Sequence, residues 1–215
     1  MGERKMGLKL EYINGNGESA DSLEIINQIL APVFVKIYPI DLSAISKSQQ
    51  LLLSKITLDD AEKVELLSSF LLNREQIIEK IKDSGREPNV AGGGFLETRA
   101  VDLKIDYPAV FVKCDGDTYS SEFKATHSNL GLDGVTGVDE IVQLLSGGEI
   151  LKYFLMPDDK KIKLSLVCDG DKTGWMLVSD GKFPHYAAIP PHATTGTKIV
   201  AQAIGPEFWE MKSPS

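Results

Sequence analysis

"NVAGGGFLETR", residues 89–99, separates two kinds of sequence. Its three consecutive glycines allow a backbone path closed to other residues. They lead into Phe95-Leu96-Glu97-Thr98-Arg99, where a period of two puts Glu97 and Arg99 on one side of a strand. The stretch reads as a tight turn entering an edge strand. Glu97 then faces either solvent or a pocket.

Before this stretch, up to about Arg86, apolar residues recur at helical spacing. Asp21 or Ser22 can cap a short helix with Leu23, Ile26, Ile29 and Leu30 on one face, and Pro32 ends or kinks it. Thr57 and Asp60 have the spacing of a capping box, followed by Ala61, Val64, Leu67 and Leu71. Asn73 can cap a further helix with a stripe of Ile77, Ile78 and Ile81, stopped at Ser84-Gly85. The stripes are either core or partner-facing. Further upstream, "NGNG" at 14–17 suggests a hairpin or loose turn. It lacks the Lys-Ser/Thr of a phosphate loop.

After Pro88 the apolar segments become short. "AVFVKCD", "EILKYFLMP", "KIKLSLVCD", "GWMLVSD", "YAAIP" and "TKIVAQAIG" are strand-like, separated by "PDDK", "DGDK" and "SDGK". This spacing predicts a sandwich or small barrel rather than a parallel α/β sheet. The expected organisation is a mainly helical region over 1–86 and a β-barrel domain over 87–215.

The chain has 215 residues and a formal net charge of −8, so no basic excess meets a nucleic acid or an anionic membrane. No apolar run approaches the roughly 18–20 residues that span a bilayer. The start carries positive charge but no apolar signal-peptide core. The expected compartment is the cytoplasm. Cys114 and Cys168 form no CxxC pair, and a disulfide between them is not expected there.

Three histidines carry the chemical interest. His127 alternates with Phe123 and Ala125, which places it on an inward face if Phe123 is core. Glu140 lies in "GVDEIVQLLSGGE", a strand ending at a Gly-Gly turn. His185 and His192 flank "YAAIPP". Three imidazoles and a carboxylate bind one divalent metal if they converge. No GxSxG elbow, HExxH helix or marked catalytic thiol is present.

The order of these segments is similar to that of the small single-domain cupins of largely unassigned function. "REQIIEKIKDSGREPNVAGGGFLETR" resembles their helix followed by Glu-Gly-Gly-aromatic-x-x-Glu-Thr, with Ala91 or Gly92 in place of the first Glu. "YSSEFKATHS" resembles a Ser-x-x-His strand end and brings His127 into register. Asp139-Glu140 through Gly147-Gly148, the hairpin at Pro157-Asp158-Asp159, "GKFPHYAAIPPHA" and "AIGPEFWEM" follow in family order. The resemblance covers roughly residues 75–212. The chain departs from it in an insertion-like "NLGLDGVTGV", in Ile141-Val142 where an aromatic is usual, and in lacking a His-x-His pair.

The resemblance implies a cupin-like double-stranded β-helix, a jelly-roll barrel, behind an α-helical N-terminal extension. It also implies a homodimer and a small polar ligand, sugar-like or carboxylate, in the barrel mouth. Glu97, Arg99, His127, Glu140, His185 and His192 would contact that ligand. An isomerase or epimerase version uses His127 as base, with Tyr153 or Tyr186 as acid and Glu97 nearby. A metal-dependent version uses His127, Glu140, His185 and His192 as ligands of one divalent ion. The alternative is a non-catalytic ligand sensor or interaction module that works through its N-terminal helices.

Overall fold

Alternation of apolar and polar residues decides which faces of the strands are covered. "KIKLSLV" of Lys161–Val167 buries every second residue, so one side of its sheet meets solvent. "DEIVQLLS" of Asp139–Ser146 is buried at nearly every position, so its sheet is covered on both sides. The two patterns belong to two different sheets of the computed structural model, which describes residues 7–14, 17–102, 126–168, 172–190 and 196–213.

The strands are β1 (Leu8–Tyr12), β2 (Ser19–Ala20), β3 (Lys36–Asp41), β4 (Phe95–Asp102), β5 (Ser128–Gly131), β6 (Asp139–Ser146), β7 (Glu149–Leu155), β8 (Lys161–Val167), β9 (Thr173–Asp180), β10 (His185–Ala188), β11 (Lys198–Gly205) and β12 (Trp209–Lys212). One sheet runs β10-β7-β8-β1-β2, the other β3-β9-β6-β11-β4, and β12 pairs with β5. The pairings between these strands are antiparallel. The protein is therefore mainly β, as the short strand-like runs predict.

The two sheets face each other across one apolar core. Leu10, Phe154, Ile162 and Leu164 come from the first, and Ile37, Val142, Leu144, Trp175, Leu177 and Ile199 from the second. Helix α1 (Leu23–Leu30) adds Ile26 and Leu30 to this core. Helices α2 (Lys47–Ser54), α3 (Asp60–Phe70) and α4 (Arg74–Asp83) cover the other face of the second sheet. There Leu52, Leu66 and Phe70 meet Leu145 and Val200, while Ile77 and Ile81 meet Ile141, Val178 and Ile204. The stripes of α1 and α4 are thus core, whereas α3 packs through Leu66 and Phe70 instead of the expected Val64 and Leu71. Among the described residues no helix is long and apolar enough to cross a membrane.

Some expectations need correction. The first 86 residues supply β1, β2 and β3, and β1 lies between β8 and β2. A boundary at 86/87 therefore cuts through both sheets. The LKLEY run is too short to announce itself, but Leu8 and Leu10 are buried there. Helix α3 starts at an Asp59/Glu62 capping box, two residues after Thr57, and it buries Leu66 and Phe70 while Val64 and Leu71 stay exposed. Helix α2 escaped notice although a Ser46/Gln49 box caps it. The Asn73 cap and the Ile77/Ile81 face are found as expected.

The glycine run enters edge strand β4 as read. Gly92, Gly93 and Gly94 all have positive φ (70°, 82° and 54°). A Cβ on Gly94 would lie 2.1 Å from the Gly205 carbonyl oxygen, so both conformation and space require glycine.

The link between α4 and β4 is fastened by a buried polar cluster. Arg86 Nη1 lies 2.5 Å from Asp139 Oδ1, and Arg86 Nε lies 3.8 Å from Asp180 Oδ2. Asn89 Nδ2 donates to Asp139 Oδ1 (2.8 Å) and Asp180 Oδ1 (2.9 Å). Asp139 and Asp180 stand directly opposite each other on β6 and β9, so their charges repel unless cations lie against them; Arg86 faces both, and Lys182 Nζ lies 3.2 Å from Asp180 Oδ2. Burial pushes the Asp139 carboxyl up to about 6, against the downward pull of Arg86 and Asn89.

Arg86→Met leaves buried Asp139 without its cation, while Asp180 keeps Lys182. It is expected to cost about 3–5 kcal/mol in urea unfolding, the usual penalty for breaking a buried pair. Asp139 holds its proton more tightly in the native state than in the unfolded chain. Its contribution to stability is full below about pH 4 and is lost as pH rises through about 6. Comparing unfolding of wild type and Asp139→Asn from pH 4 to 8 measures that slope.

Candidate functional site

Strand parity carries four polar side chains to one place between the sheets. On β6, Glu140 shares the inner face with Val142 and Leu144. On β7, Lys152 shares it with Ile150 and Phe154. On β10, His185 stands opposite Phe154, on the side that leads to buried Ile189. His127 forms an isolated antiparallel bridge with His185, with N–H···O bonds of 3.0 and 2.9 Å in the two directions. The paired backbone brings the imidazoles together, with ring centroids 4.7 Å apart and a tilt of 56°.

Glu140 is the hub. His185 Nε2 lies 3.5 Å and Lys152 Nζ 4.0 Å from Glu140 Oε2. Asn129 Nδ2 donates to Glu140 Oε1, while Asn129 Oδ1 is buried and has no hydrogen-bond partner among the described residues. The Lys152 and His185 side chains are 5% and 4% exposed, so their polar ends face Glu140 rather than bulk water.

Burial dominates the electrostatics. It pulls the His185 imidazole down to about 4; Lys152 and His127 add to this and Glu140 opposes it. The imidazole is therefore neutral at neutral pH. Burial works to raise Glu140, but His185, Lys152, the Asn129 amide and His127 together hold it below its ordinary value. Burial also lowers the Lys152 ammonium, with Glu140 pulling the other way. His185 Nδ1 lies 2.9 Å from the Phe183 carbonyl oxygen. A carbonyl only accepts, so Nδ1 carries the proton and Nε2 presents a lone pair. Two acceptors, Nε2 and Glu140 Oε2, thus face each other, and a cation or donor must stabilise them.

The other expected site residues fall in different places. Glu97 pairs with Ala203, which pairs with Glu140. Glu97 and Glu140 therefore share one cross-strand row and one face, about 10 Å apart by strand spacing. Arg99 pairs with Ala201, two residues along the same edge strand. Tyr153 and Tyr186 do not join the cluster. Each is adjacent in sequence to a cluster residue and so points to the opposite face, where the two rings stack at 5.8 Å beside Ala188. Their expected role as the acid paired with His127 is corrected by that parity. His192 lies outside the described residues, as do Phe123, Ala125 and Cys114. Cys168 donates weakly to the Leu144 carbonyl, and burial pushes its thiol up to about 12, far from a nucleophile's range.

Sequence reading missed Lys152 and Asn129. A signal existed for both. Lys152 alternates with Ile150 and Phe154 on an apolar face, where lysine is rare unless paired. Asn129 follows His127 by two.

The described residues do not fit a divalent metal ion. The separation of His185 Nε2 and Glu140 Oε2 suits two ligands of one ion, but Asn129 holds the other carboxylate oxygen and the Lys152 ammonium lies against the first. Among the described residues no group of three or more His, Cys, Asp or Glu side chains is arranged to hold a metal.

No family model matches the sequence, and no curated protein matches it. Among solved structures the chain is similar to acireductone dioxygenase from Bacillus anthracis, determined with a cadmium ion in its active center. The TM-score is 0.58 at 13% identity, over 94% of both chains. The likeness is one of fold.

The neutral His185 is directly checkable. Its ring nitrogens are expected to show no titration between pH 5 and 8 in long-range ¹H–¹⁵N spectra, and Glu140→Gln should lower its pKa further. Because the native value lies below the unfolded one, the stability His185 contributes is full above about pH 6.5 and is lost as pH falls toward about 4.

Proposed function

We propose that the protein is a cupin-type enzyme that binds a small carboxylate-bearing ligand between its sheets and moves a proton on it, in the manner of an isomerase or epimerase. The observation that carries this reading is the convergence of two imidazoles, one carboxylate and one ammonium on the inner face of β6, β7 and β10. A double-stranded β-helix whose mouth admits the ligand, related to the small single-domain cupins, is the architecture this reading assumes. The cupin fold of the solved neighbour supports it.

Each residue has a distinct task. His127 is less buried than His185 and lies against it, so it is the imidazole placed to meet a ligand. It acts as the base. Abstraction next to a carbonyl leaves negative charge on the ligand oxygen, and Lys152 is the cation near enough to receive it. Glu140, fixed by Asn129, holds Lys152 in place and offsets its charge when no ligand is bound. Glu97, one row further along the same face, lines the approach.

Deuterium exchange tests the reading without a known substrate. Pyruvate, 2-oxobutyrate and 2-oxoglutarate are each incubated with the protein in D₂O and followed by ¹H NMR. At least one is expected to exchange the protons beside its carbonyl faster than in buffer. His127→Ala should cut that enhancement by about 10²-fold or more, the usual worth of a positioned base. No enhancement with any of the three, together with no rise in Tm on adding malonate, would sink the proposal.

A further inference from the structure

We infer that Lys152 is the built-in cation of this site: its ammonium stands beside the place that a divalent metal would take between His185 and Glu140, and it keeps such a metal out. The inference rests on the site assigned above and says what completes it.

The argument begins with the two facing acceptors. The proton on His185 Nδ1 is committed to the Phe183 carbonyl, so Nε2 and Glu140 Oε2 confront each other across 3.5 Å as lone pair and anion. A pair of this kind inside a protein calls for positive charge. A metal with bonds near 2.1 Å to each would satisfy it. The chain supplies its own candidate instead. Lys152 Nζ is 4.0 Å from the same carboxylate oxygen, its side chain is 5% exposed, and Glu140 is its one charged partner among the described residues. Lysine on an apolar strand face is expensive to bury, and its neighbours Ile150 and Phe154 offer no other reason for it. A dication placed between His185 and Glu140 would sit within a few ångströms of that ammonium in a poorly screened interior, where like charges repel strongly.

The ligand class follows. A metal-free site with one exchangeable cation takes one anionic group, so a mono- or dicarboxylate is favoured over a neutral sugar. An ammonium is a point charge with three donors and no demand for planar geometry. It can leave Glu140 for a ligand carboxylate without rearranging the carboxylate's bond to Asn129.

Metal content decides the matter. Wild type, Lys152→Gln, Lys152→Met and Lys152→Gln/Glu140→Gln are dialysed against micromolar zinc, desalted and analysed by elemental mass spectrometry, with circular dichroism confirming the fold. Wild type is expected to retain less than about a tenth of an equivalent. At least one single variant should retain close to one, held between His185 and Glu140, and the double variant should lose it. Near-stoichiometric zinc in wild type that Glu140→Gln abolishes would overturn the inference. So would wild type and both single variants all remaining empty, since the charge of Lys152 would then not be what excludes the ion. Deuterium exchange reads proton transfer and zinc content reads Lys152, so the two proposals fail separately.

Discussion

A sheet buried on both faces has nowhere to place a polar side chain except against another one. The sheet β3-β9-β6-β11-β4 lies between a second sheet and three helices, and the polar residues of its inner strands answer to that constraint. On the helical side, Gln143 donates to the Phe70 carbonyl at 2.7 Å, and Gln202 both donates to and accepts from the Leu72 backbone at 2.9 Å. These bonds satisfy backbone groups that the end of α3 leaves without helical partners. At one end of the sheet, Asp139 and Asp180 are held by Arg86 and Asn89. On the inner face, Glu140 is held by Asn129, Lys152 and His185. The same rule thus generates a fastening and a site from adjacent residues of β6.

Asp139 and Glu140 show how one residue step separates structure from chemistry. Parity sends them to opposite sides of the sheet. Asp139 meets an arginine whose fork fits carboxylates and whose charge is permanent. Glu140 meets two groups whose protonation states burial has displaced downward, a histidine and a lysine. Clusters of displaced groups are where proton chemistry is commonly found. The two carboxylates also act oppositely on the pH dependence of folding. Asp139 favours the native state at lower pH, whereas the buried neutral His185 favours it at higher pH.

The likeness to acireductone dioxygenase is one of fold, and a fold alone selects no reaction. What distinguishes this chain is the charge inventory between its sheets. Reading the histidines as ligands in waiting misses that a lysine stands among them.

The sequence by itself determined the mainly β character, the antiparallel strands, the entry of β4 through three glycines, the cap of α4, and the candidacy of His127, Glu140 and His185. Those features are local: period two, turn chemistry and glycine's freedom at positive φ act within a few residues. The tertiary structure alone decided the rest. It threaded β1 between β8 and β2, turned Tyr153 and Tyr186 away from the cluster, and set Lys152 and Asn129 against Glu140. His127 and His185 are 58 positions apart, and only the pairing of their strand backbones makes them neighbours. Strand partners are chosen by which apolar faces can be covered together, and that choice is a property of the whole chain rather than of any short stretch of it.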